Sequence, residues 1–292
     1  MICITGAGGT VGREVIKQLE LANVPYRAAY FSKEKVEAAL AQGIDAVSID
    51  YSRPQTLRTA FQEYDKLFLL GPNALNQTQL ELNAVEAAKA VGVQYIVKQS
   101  VMGAEGEDFS LALIHRPVEK AIEASGMAWT FLHPNSFMQN VVTFMSETIK
   151  AESAFYSASS EAKIAHVDVR DIATVAVKIL TESKPIHFGQ AYTLTGSEAL
   201  SYDDLASELS KVLGRFISHI SLSPEDLKRG MLAEGMPEAI TERMLDLERY
   251  YREDRASRIT DDIKQVTGQE PIRFAQYVRD YAMLLKSALV AC

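Results

Sequence analysis

The sequence predicts an α/β fold, a doubly wound parallel sheet with a smaller, mostly helical C-terminal lobe. Two observations predict it. Over the first 135 residues, short apolar β-branched runs alternate with segments of helical spacing. This alternation is typical of crossover units in a parallel sheet that is covered on both faces. From residue 221 onward the sequence is nearly all helical.

The strands and helices of the predicted sheet follow in order. Six runs predict the strands: ICIT, PYRAAYF, AVSI, KLFLLG, QYIVKQS and AWTFLHP. Five segments between them predict helices: VGREVIKQLELA, KEKVEAALAQ, RPQTLRTAFQE, NQTQLELNAVEAAKAVG and PVEKAIEASG. In the first helix, Val11, Val15 and Leu19 form one stripe that would face the sheet. Gly92 and Gly126 end two later helices, where a left-handed residue is needed.

After residue 150 the pattern changes. The segments AHVDVRDIATVAVKILTE and QAYTLTGSEALSYDDLASELSKVLG each predict a strand followed by a helix. Beyond them, Ser223 is a ready N-cap with Pro224 at the first helical position, and FAQYVRDYAMLLKSAL predicts a last helix. We therefore predict two domains, residues 1–195 and 196–292, with a ligand crevice between them.

A glycine loop stands between the first strand and the first helix. Gly6, Gly9 and Gly12 allow a tight turn and a close approach of the backbone to a ligand. The N–H groups near Thr10 and Val11 would point at a pyrophosphate, which the helix dipole also favours. The strand, loop and helix in this order predict a dinucleotide site of the Rossmann type. A plain tight turn is the alternative.

The spacing of this loop, TGAGGTVG, resembles the T-G-x-x-G-x-x-G of extended and atypical short-chain dehydrogenase/reductases. Longer segments resemble the NmrA-like group of that family, which includes triphenylmethane and quinone reductases. They are IDYSRPQTLRTAFQEYDKLFLLGP, SGMAWTFLHPNSFMQN, HVDVRDIA, YTLTGSEALSYDDLASELSKVLGR and TGQEPIRFAQYVRDYA. The resemblance implies an NAD(P)-binding domain at residues 1–195 and a substrate-binding lobe at 196–292. In HPNSFMQN, His133 stands where the family has arginine.

The end of the second predicted strand bears on the choice of cofactor. An NAD site usually has an acid there for the ribose 2′-hydroxyl, but this chain has Phe31, Ser32 and Lys33. Ser32 and Lys33 could bind a 2′-phosphate, so we expect NADP(H) to be preferred over NAD(H). The family often has arginine at the position of Phe31, and Lys33 could equally be an ordinary solvated lysine.

Two further loops are expected to border the cofactor, because ligands bind at the carboxyl ends of parallel strands. Asp50 and Tyr51 end the third strand, where the resemblance implies an acid that binds the adenine amino group. Gly71, Pro72 and Asn73 end the fourth strand. Structural turns are the alternative at both places.

The catalytic tyrosine of short-chain reductases is missing. None of the twelve tyrosines has lysine four residues later, so the sequence does not favour the usual Y-x-x-x-K mechanism. The resemblance places His115 where related sequences keep a basic residue. A histidine titrates near neutrality, so it could donate a proton to the substrate, or it could form a hydrogen bond with the nicotinamide ribose. A surface histidine at a helix start is the alternative.

Other candidate residues follow the fifth and sixth strands. Ser100 lies near the place of the usual catalytic Ser/Thr. The resemblance implies that Pro134 and Asn135 pass the nicotinamide, while Phe137 and Met138 could line a substrate pocket or belong to the core.

Several classes of protein are not indicated. The five histidines are scattered, H-E-x-x-H and G-x-S-x-G are absent, and we expect no metal. A net charge of −8 gives no reason to expect nucleic-acid binding. We expect no membrane span or signal peptide. The isolated cysteines Cys3 and Cys292 favour a cytoplasmic location, and the sequence leaves a homodimer open.

Two functions remain. The first is an NAD(P)H-dependent oxidoreductase that delivers hydride to a small electrophilic, aromatic or quinone-like substrate. The second is a non-catalytic NAD(P)-binding redox sensor or regulator of the NmrA type, which would bind a protein partner and would also lack Y-x-x-x-K. The helical lobe favours the enzyme.

Overall fold

The computed structural model describes residues 1–286. Strands and helices alternate through the first half of the chain: β1 (Ile2–Ile4), α1 (Thr10–Leu21), β2 (Tyr26–Tyr30), α2 (Lys33–Ala41), β3 (Ala46–Ser48), α3 (Pro54–Phe61), β4 (Lys66–Leu69), α4 (Gln77–Val91), β5 (Tyr95–Gln99), α5 (Ser110–Glu123) and β6 (Ala128–Pro134). The second half begins with a π-helical turn (Val141–Met145) and continues with α6 (Ser146–Glu152), β7 (Ala154–Ser157), α7 (Val169–Thr181), β8 (Gln190–Leu194), α8 (Tyr202–Leu213), β9 (Ser218–Ser221), α9 (Pro224–Ala233), α10 (Glu238–Arg252), α11 (Asp262–Thr267) and α12 (Phe274–Leu285).

Seven strands form one parallel sheet in the order β3-β2-β1-β4-β5-β6-β8. The strand order reverses between β1 and β4, whose residues Ile4 and Phe68 are paired. Such a switch point leaves a crevice at the carboxyl ends of the two strands. The predicted fold class, a doubly wound parallel sheet of the Rossmann type, is confirmed.

Helices cover both faces of the sheet. The predicted stripe of Val11, Val15 and Leu19 is buried with apolar residues of α7 and α11 on one face. On the other face, α3, α4 and α5 pack around Phe61 and Phe131. The two layers keep the strands out of water, which explains their nearly continuous apolar runs.

A third core lies in the C-terminal lobe. It gathers residues of α8, α10 and α12, together with Phe109, Met138 and Phe155 from earlier in the chain. Residues on both sides of position 195 therefore contribute to it, and the predicted domains 1–195 and 196–292 stay a prediction.

The structure differs from the prediction around this core. The expected strand in AHVDV forms only one isolated bridge, from Val167 to Phe137, and Ile164 just before it bridges Leu200. A separate two-stranded parallel sheet, β7 with β9, was not expected. Its strands have four residues each, which is too short for a periodic signal.

Helix α5 begins seven residues earlier than the segment PVEKAIEASG suggests, at Ser110 rather than at Pro117. The backbone N–H and the hydroxyl of Ser110 both lie 2.6 Å from Oδ2 of Asp246, which comes from α10. A distant carboxylate thus caps the helix start, and no local pattern announces it. As a result, His115 lies within a helix.

The two cysteines lie near opposite ends of the chain. Cys3 is a buried free thiol, and Cys292 lies outside the described residues, as do the last residues of the predicted C-terminal helix. Within residues 1–286, every helix is too short or too polar to cross a bilayer.

Candidate functional site: a dinucleotide cleft and an adjoining cavity

The glycine loop joins β1 to α1. Gly6 has a φ of +62°, and a Cβ there would lie 2.9 Å from the carbonyl oxygen of Leu70 at the end of β4. A Cβ on Gly12 would lie 2.2 Å from the carbonyl oxygen of Gly6, so the loop closes only with glycine at both positions. Gly9 differs, because its φ is −84° and a Cβ would meet only the Gly6 oxygen, at 3.3 Å. Its outer face is open to a ligand.

The start of α1 is suited to an anion. Its N-cap, Gly9, offers no side chain to the first N–H groups, and the first turn carries no acid. The N–H groups of this turn have no intrahelical acceptor, and the helix dipole adds partial positive charge. Thr10 and Val11 line the cleft at this point. The loop therefore fits the diphosphate of a dinucleotide.

The cleft at the switch point has a volume of about 870 Å³. Predicted residues that line it are Gly6, Gly9, Thr10, Val11, Phe31, Ser32, Asp50, Tyr51, Gly71, Pro72 and Asn73. Two residues predicted for the glycine loop and the end of the second strand do not line it: Gly12 packs under the loop, and Lys33 is exposed elsewhere on α2.

A second lysine of α2 lies in the cleft instead. Nζ of Lys35 lies 2.9 Å from the place of a Cβ on Gly8, beside the glycine loop. Ser32 caps α2 by accepting from the backbone N–H of Lys35, and its hydroxyl donates to Glu34 at 2.6 Å. Lys35 therefore lies beside the loop, whereas Lys33 is exposed outside the cleft. Phe31 lines the cleft and is 76% exposed, as an uncovered aromatic face.

Asp50 and Tyr51 form the next wall of the cleft. Hydrogen bonds from the hydroxyl and backbone N–H of Ser52 lower the pKa of Asp50, so this carboxylate is ionised at neutral pH. The hydroxyl of Tyr51 donates to the carbonyl oxygen of Leu70 at 2.8 Å and is already satisfied. Of the two, Asp50 therefore retains acceptor capacity for a ligand.

A second cavity, of about 310 Å³, opens beside the cleft, and the two share Asn73, Gln99, Phe137 and Asn140. The predicted residues Ser100, His115, Pro134, Asn135 and Phe137 line this cavity. Met138 lines neither space, because its side chain is 1% exposed in the core of the C-terminal lobe. The cavity wall is mostly apolar and aromatic, as is usual for a small-molecule site.

Two polar atoms of the cavity lack partners. Gln99 Oε1 and Ser100 Oγ are buried and have no hydrogen-bond partner within the described chain. Buried polar groups are normally satisfied, so both are available to a ligand: Gln99 Oε1 can accept a hydrogen bond, and the hydroxyl of Ser100 can donate or accept one. Asn135 is different: its side chain donates to the carbonyl oxygen of Ala256 and accepts from the backbone N–H of Ser136. It holds the cavity wall in place.

A buried ion pair lies behind His115. Lys98, on β5, is fully buried and donates to Glu81 of α4, which also accepts from Gln77 at 2.9 Å. Nζ of Lys98 lies 3.2 Å from Nδ1 of His115. A Cβ on Gly71 would lie 2.2 Å from Oε1 of Glu81, so Gly71 makes room for this pair.

The ion pair sets the chemistry of His115. An ammonium only donates, so Nδ1 of His115 accepts from Lys98, which places the ring proton on Nε2. Burial, and after it the charge of Lys98, lower the pKa of His115 from 6.5 to about 4. The expected titration near neutrality is therefore wrong. At neutral pH, His115 offers an uncharged N–H donor at Nε2.

His133 lies outside both spaces. Its Nε2 lies 2.8 Å from Oε1 of Glu119, whose other oxygen accepts from Arg116 at 3.0 Å. His133 stands where the family motif has arginine. It is a smaller, buried side chain, and its hydrogen bond with Glu119 connects β6 to α5.

A serine, a histidine and an aspartate, the residue types of a hydrolase triad, lie together in the C-terminal lobe. Nε2 of His219 lies 2.8 Å from the hydroxyl of Ser157, and Nδ1 lies 2.9 Å from Asp203. Ser157 is 1% exposed and lines none of the cavities described, so a substrate cannot reach it. These bonds join β7, β9 and α8. Within the described chain, no cluster of His, Cys, Asp or Glu could hold a metal ion.

Sequence reasoning missed Lys35, Gln99 and the pair of Lys98 with Glu81. The N-cap at Ser32 was the available signal for Lys35, because it places both Lys33 and Lys35 in the first turn of α2. Lys98 stands in the middle of a buried strand, where a lysine requires an acidic partner, and this requirement was the available signal.

Comparison with known proteins gives consistent results. The model of the NmrA-like family matches residues 1–280. The chain is 34% identical to the NAD(P)H azoreductase of Xenophilus azovorans over 291 residues, 99% of this chain and 100% of that protein.

Two solved structures are similar over nearly their whole length. The quinone oxidoreductase QOR2 of Escherichia coli, complexed with NADPH, is 27% identical with a TM-score of 0.88, covering 97% of this chain and 100% of the other. The triphenylmethane reductase of Citrobacter sp., complexed with NADP(H), is 26% identical with a TM-score of 0.87, covering 96% and 99%.

Proposed function

The chain belongs to the NmrA-like family and is an NAD(P)H-dependent reductase, and we propose that it delivers hydride to a small, flat, electrophilic aromatic compound such as a quinone. The observation that carries the proposal is the junction of the two spaces. The cleft with the glycine loop opens, through Gln99 and Phe137, into a mostly apolar cavity that contains His115. A cofactor and a planar substrate can therefore meet at this junction.

The residues present fit NADP(H). The glycine loop and the start of α1 would hold the diphosphate, and Asp50 would accept from the adenine amino group. We propose that Lys35, rather than Lys33, contacts the 2′-phosphate, because its ammonium group lies beside Gly8 within the cleft. An ammonium group beside a phosphate gives a charge-assisted hydrogen bond. This contact favours NADP(H) over NAD(H).

Gln99 and Ser100 lie where the cleft meets the cavity. Their unpaired oxygens can accept from a carboxamide, the polar group of the nicotinamide ring. When bound, the cofactor supplies the hydride. The protein supplies orientation of the two reactants and an apolar wall that excludes water.

His115 would stabilise the substrate as negative charge develops on it. A quinone that accepts hydride becomes a quinolate, which needs one proton to become the hydroquinone. The uncharged Nε2–H of His115 can donate to the oxygen that becomes anionic, and such preorganised donors strongly favour the charged state. With its pKa lowered to about 4, the imidazole does not serve as the proton source at neutral pH. Water can protonate the stabilised quinolate.

The proposal is tested by following NADPH absorbance with the wild-type protein and a panel of quinones, azo dyes and triphenylmethane dyes. We expect oxidation of NADPH that depends on both protein and quinone, with one hydroquinone formed for each NADPH consumed. If no quinone is reduced but an azo dye or a triphenylmethane dye is, the substrate belongs to that class of dye and the quinone assignment is wrong.

A further inference from the structure

Helix α10 forms one wall of the cavity. Ile240, Met244 and Leu247 recur at the spacing of a single helix face and line the cavity together. Arg243 lies on the same face. Among the described residues that line the cavity, Arg243 is the only one with a charged side chain at neutral pH, since His115 is uncharged there.

The charge of Arg243 is not neutralised within the described chain. Its guanidinium has one long contact, Nη1 to Oδ1 of Asn73 at 3.5 Å, and forms no ion pair. The nearby acids on α10 are engaged elsewhere: Glu242 pairs with Lys228, and Asp246 pairs with Arg249 while capping α5. Arg243 is therefore a half-buried cation beside apolar walls that can pair with an anion entering the cavity.

We propose that Arg243 binds an oxyanion substituent of the substrate, so that the enzyme prefers planar aromatic acceptors carrying a carboxylate or sulfonate. This inference rests on the proposed function and narrows its substrate class. The guanidinium is a planar fork of donors that matches a carboxylate or sulfonate in a bidentate arrangement. The apolar face formed by Ile240, Met244 and Leu247 would cover the rings, while Arg243 and Asn73 would fix the charged end.

A phosphate of the cofactor is the other source of the same chemistry. The placement of Arg243 favours the substrate, because this residue lines the cavity and does not line the dinucleotide cleft. Asn73 lines both spaces, so a measurement has to distinguish the two sources.

The test uses two matched ligands, 1,4-naphthoquinone-6-sulfonate and the neutral 6-sulfonamide, and three variants. Arg243→Gln removes the charge and Arg243→Lys keeps it. Arg229→Gln is the control, because Arg229 is an exposed arginine of α9 that lines neither space. Kd is measured by calorimetry with saturating NADP⁺, and kcat/KM with NADPH. Thermal unfolding of each variant verifies the fold.

We expect the wild type to bind the sulfonate about tenfold more tightly than the sulfonamide, as befits one charge-assisted contact. Arg243→Gln should remove this preference and leave sulfonamide binding within about twofold. Arg243→Lys should retain part of it, and Arg229→Gln should change nothing.

Three results would overturn the inference. The first is a wild type without a preference for the sulfonate, and the second is an equal loss of affinity for both ligands in Arg243→Gln. The third is a loss of NADPH binding in Arg243→Gln as large as the loss of sulfonate binding, which would assign Arg243 to the cofactor. The Kd values are measured without turnover. A protein that reduces no quinone would therefore contradict the proposed function, while the Kd values would still show whether Arg243 binds the sulfonate.

Discussion

Nζ of Lys98 lies 3.2 Å from Nδ1 of His115, and this contact determines what the histidine can do. Lys98 forms an ion pair with Glu81, and this pairing allows the ammonium group to stay charged although it is buried. Burial acts to raise the pKa of Glu81, but the charge and hydrogen bond of Lys98 hold it below its ordinary value. Burial, and after it the charge of Lys98, lowers the pKa of His115 and keeps it uncharged, and Lys98 acts as a positioning residue that leaves the ring proton on Nε2.

The first prediction concerns the pH dependence of activity. Because the pKa of His115 is lowered to about 4, kcat/KM should show no inflection from this residue between about pH 5.5 and pH 8. The double variant Lys98→Met with Glu81→Gln removes a charge that lowers the pKa of His115 and a charge that raises it, while burial, the largest cause, is unchanged. The pKa of His115 should therefore stay low, and this variant should also show no inflection in the same range. An inflection near pH 6.5 in the wild type that disappears in His115→Gln would contradict the account.

The second prediction concerns stability. A lowered histidine pKa means that unfolding takes up a proton between about pH 4 and pH 6.5. His115 therefore stabilises the wild type above this window, and that stabilisation is lost as the pH falls through it. His166 has a pKa lowered to about 4 by burial and adds the same trend, so the wild type is compared with His115→Gln. Denaturant unfolding should show the difference between the two proteins shrinking from pH 7 to pH 4.5.

The third prediction separates donation from general acid catalysis. His115→Ala removes the Nε2–H donor and should lower kcat by about 10²-fold, the size found for one preorganised donor. His115→Gln restores an N–H of similar reach and should recover most of the loss, measured at saturating NADPH. If glutamine is as inactive as alanine, a transferable proton is required and the donor role is wrong.

The fourth prediction concerns cofactor preference. Lys35→Ala should weaken NADPH binding by about tenfold or more and leave NADH binding little changed, because only NADPH has the 2′-phosphate. Lys33→Ala is the matched control on the same helix and should change neither, since Lys33 does not line the cleft. Isothermal titration of both cofactors gives the comparison. The reverse result would return the role to Lys33.

The fifth prediction uses the different surroundings of two glycines. Gly9→Val should fold, since its backbone is extended and a Cβ meets one atom at 3.3 Å, but the side chain should block the diphosphate. At 100-fold excess over Kd, NADPH should stabilise the wild type by about 2.7 kcal/mol and leave Gly9→Val unchanged. Gly12→Ala should instead destabilise the fold, because its Cβ would lie 2.2 Å from the Gly6 oxygen.

The sequence predicted the parts of the molecule that depend on local order. The strand, glycine loop and helix around Gly6 are contiguous, and alternating apolar runs announce a parallel sheet. The contact of His115 with Lys98 joins two elements, and the acid that neutralises Lys98 comes from a third. No local pattern specifies such a meeting. The pKa of His115 could therefore not be predicted, although its position in the site was.

Side-chain direction accounts for the other differences. Lys33 and Lys35 are two residues apart and so lie on different faces of one helix, and the packing of α2 in the fold decides which one faces the loop. Arg243 stands within an apolar stripe of α10, but the sequence did not show which space that stripe lines.

The most direct test of the central claim is the oxidation of NADPH by the wild-type protein with 1,4-naphthoquinone as acceptor. The account predicts that NADPH is consumed and hydroquinone formed in equal amounts, with saturation in both reactants. The contradicting result is stoichiometric binding of NADPH with no oxidation by any quinone, azo dye or triphenylmethane dye. That result would favour the alternative of a dinucleotide sensor, in which His115 lines the cavity without a reaction to assist.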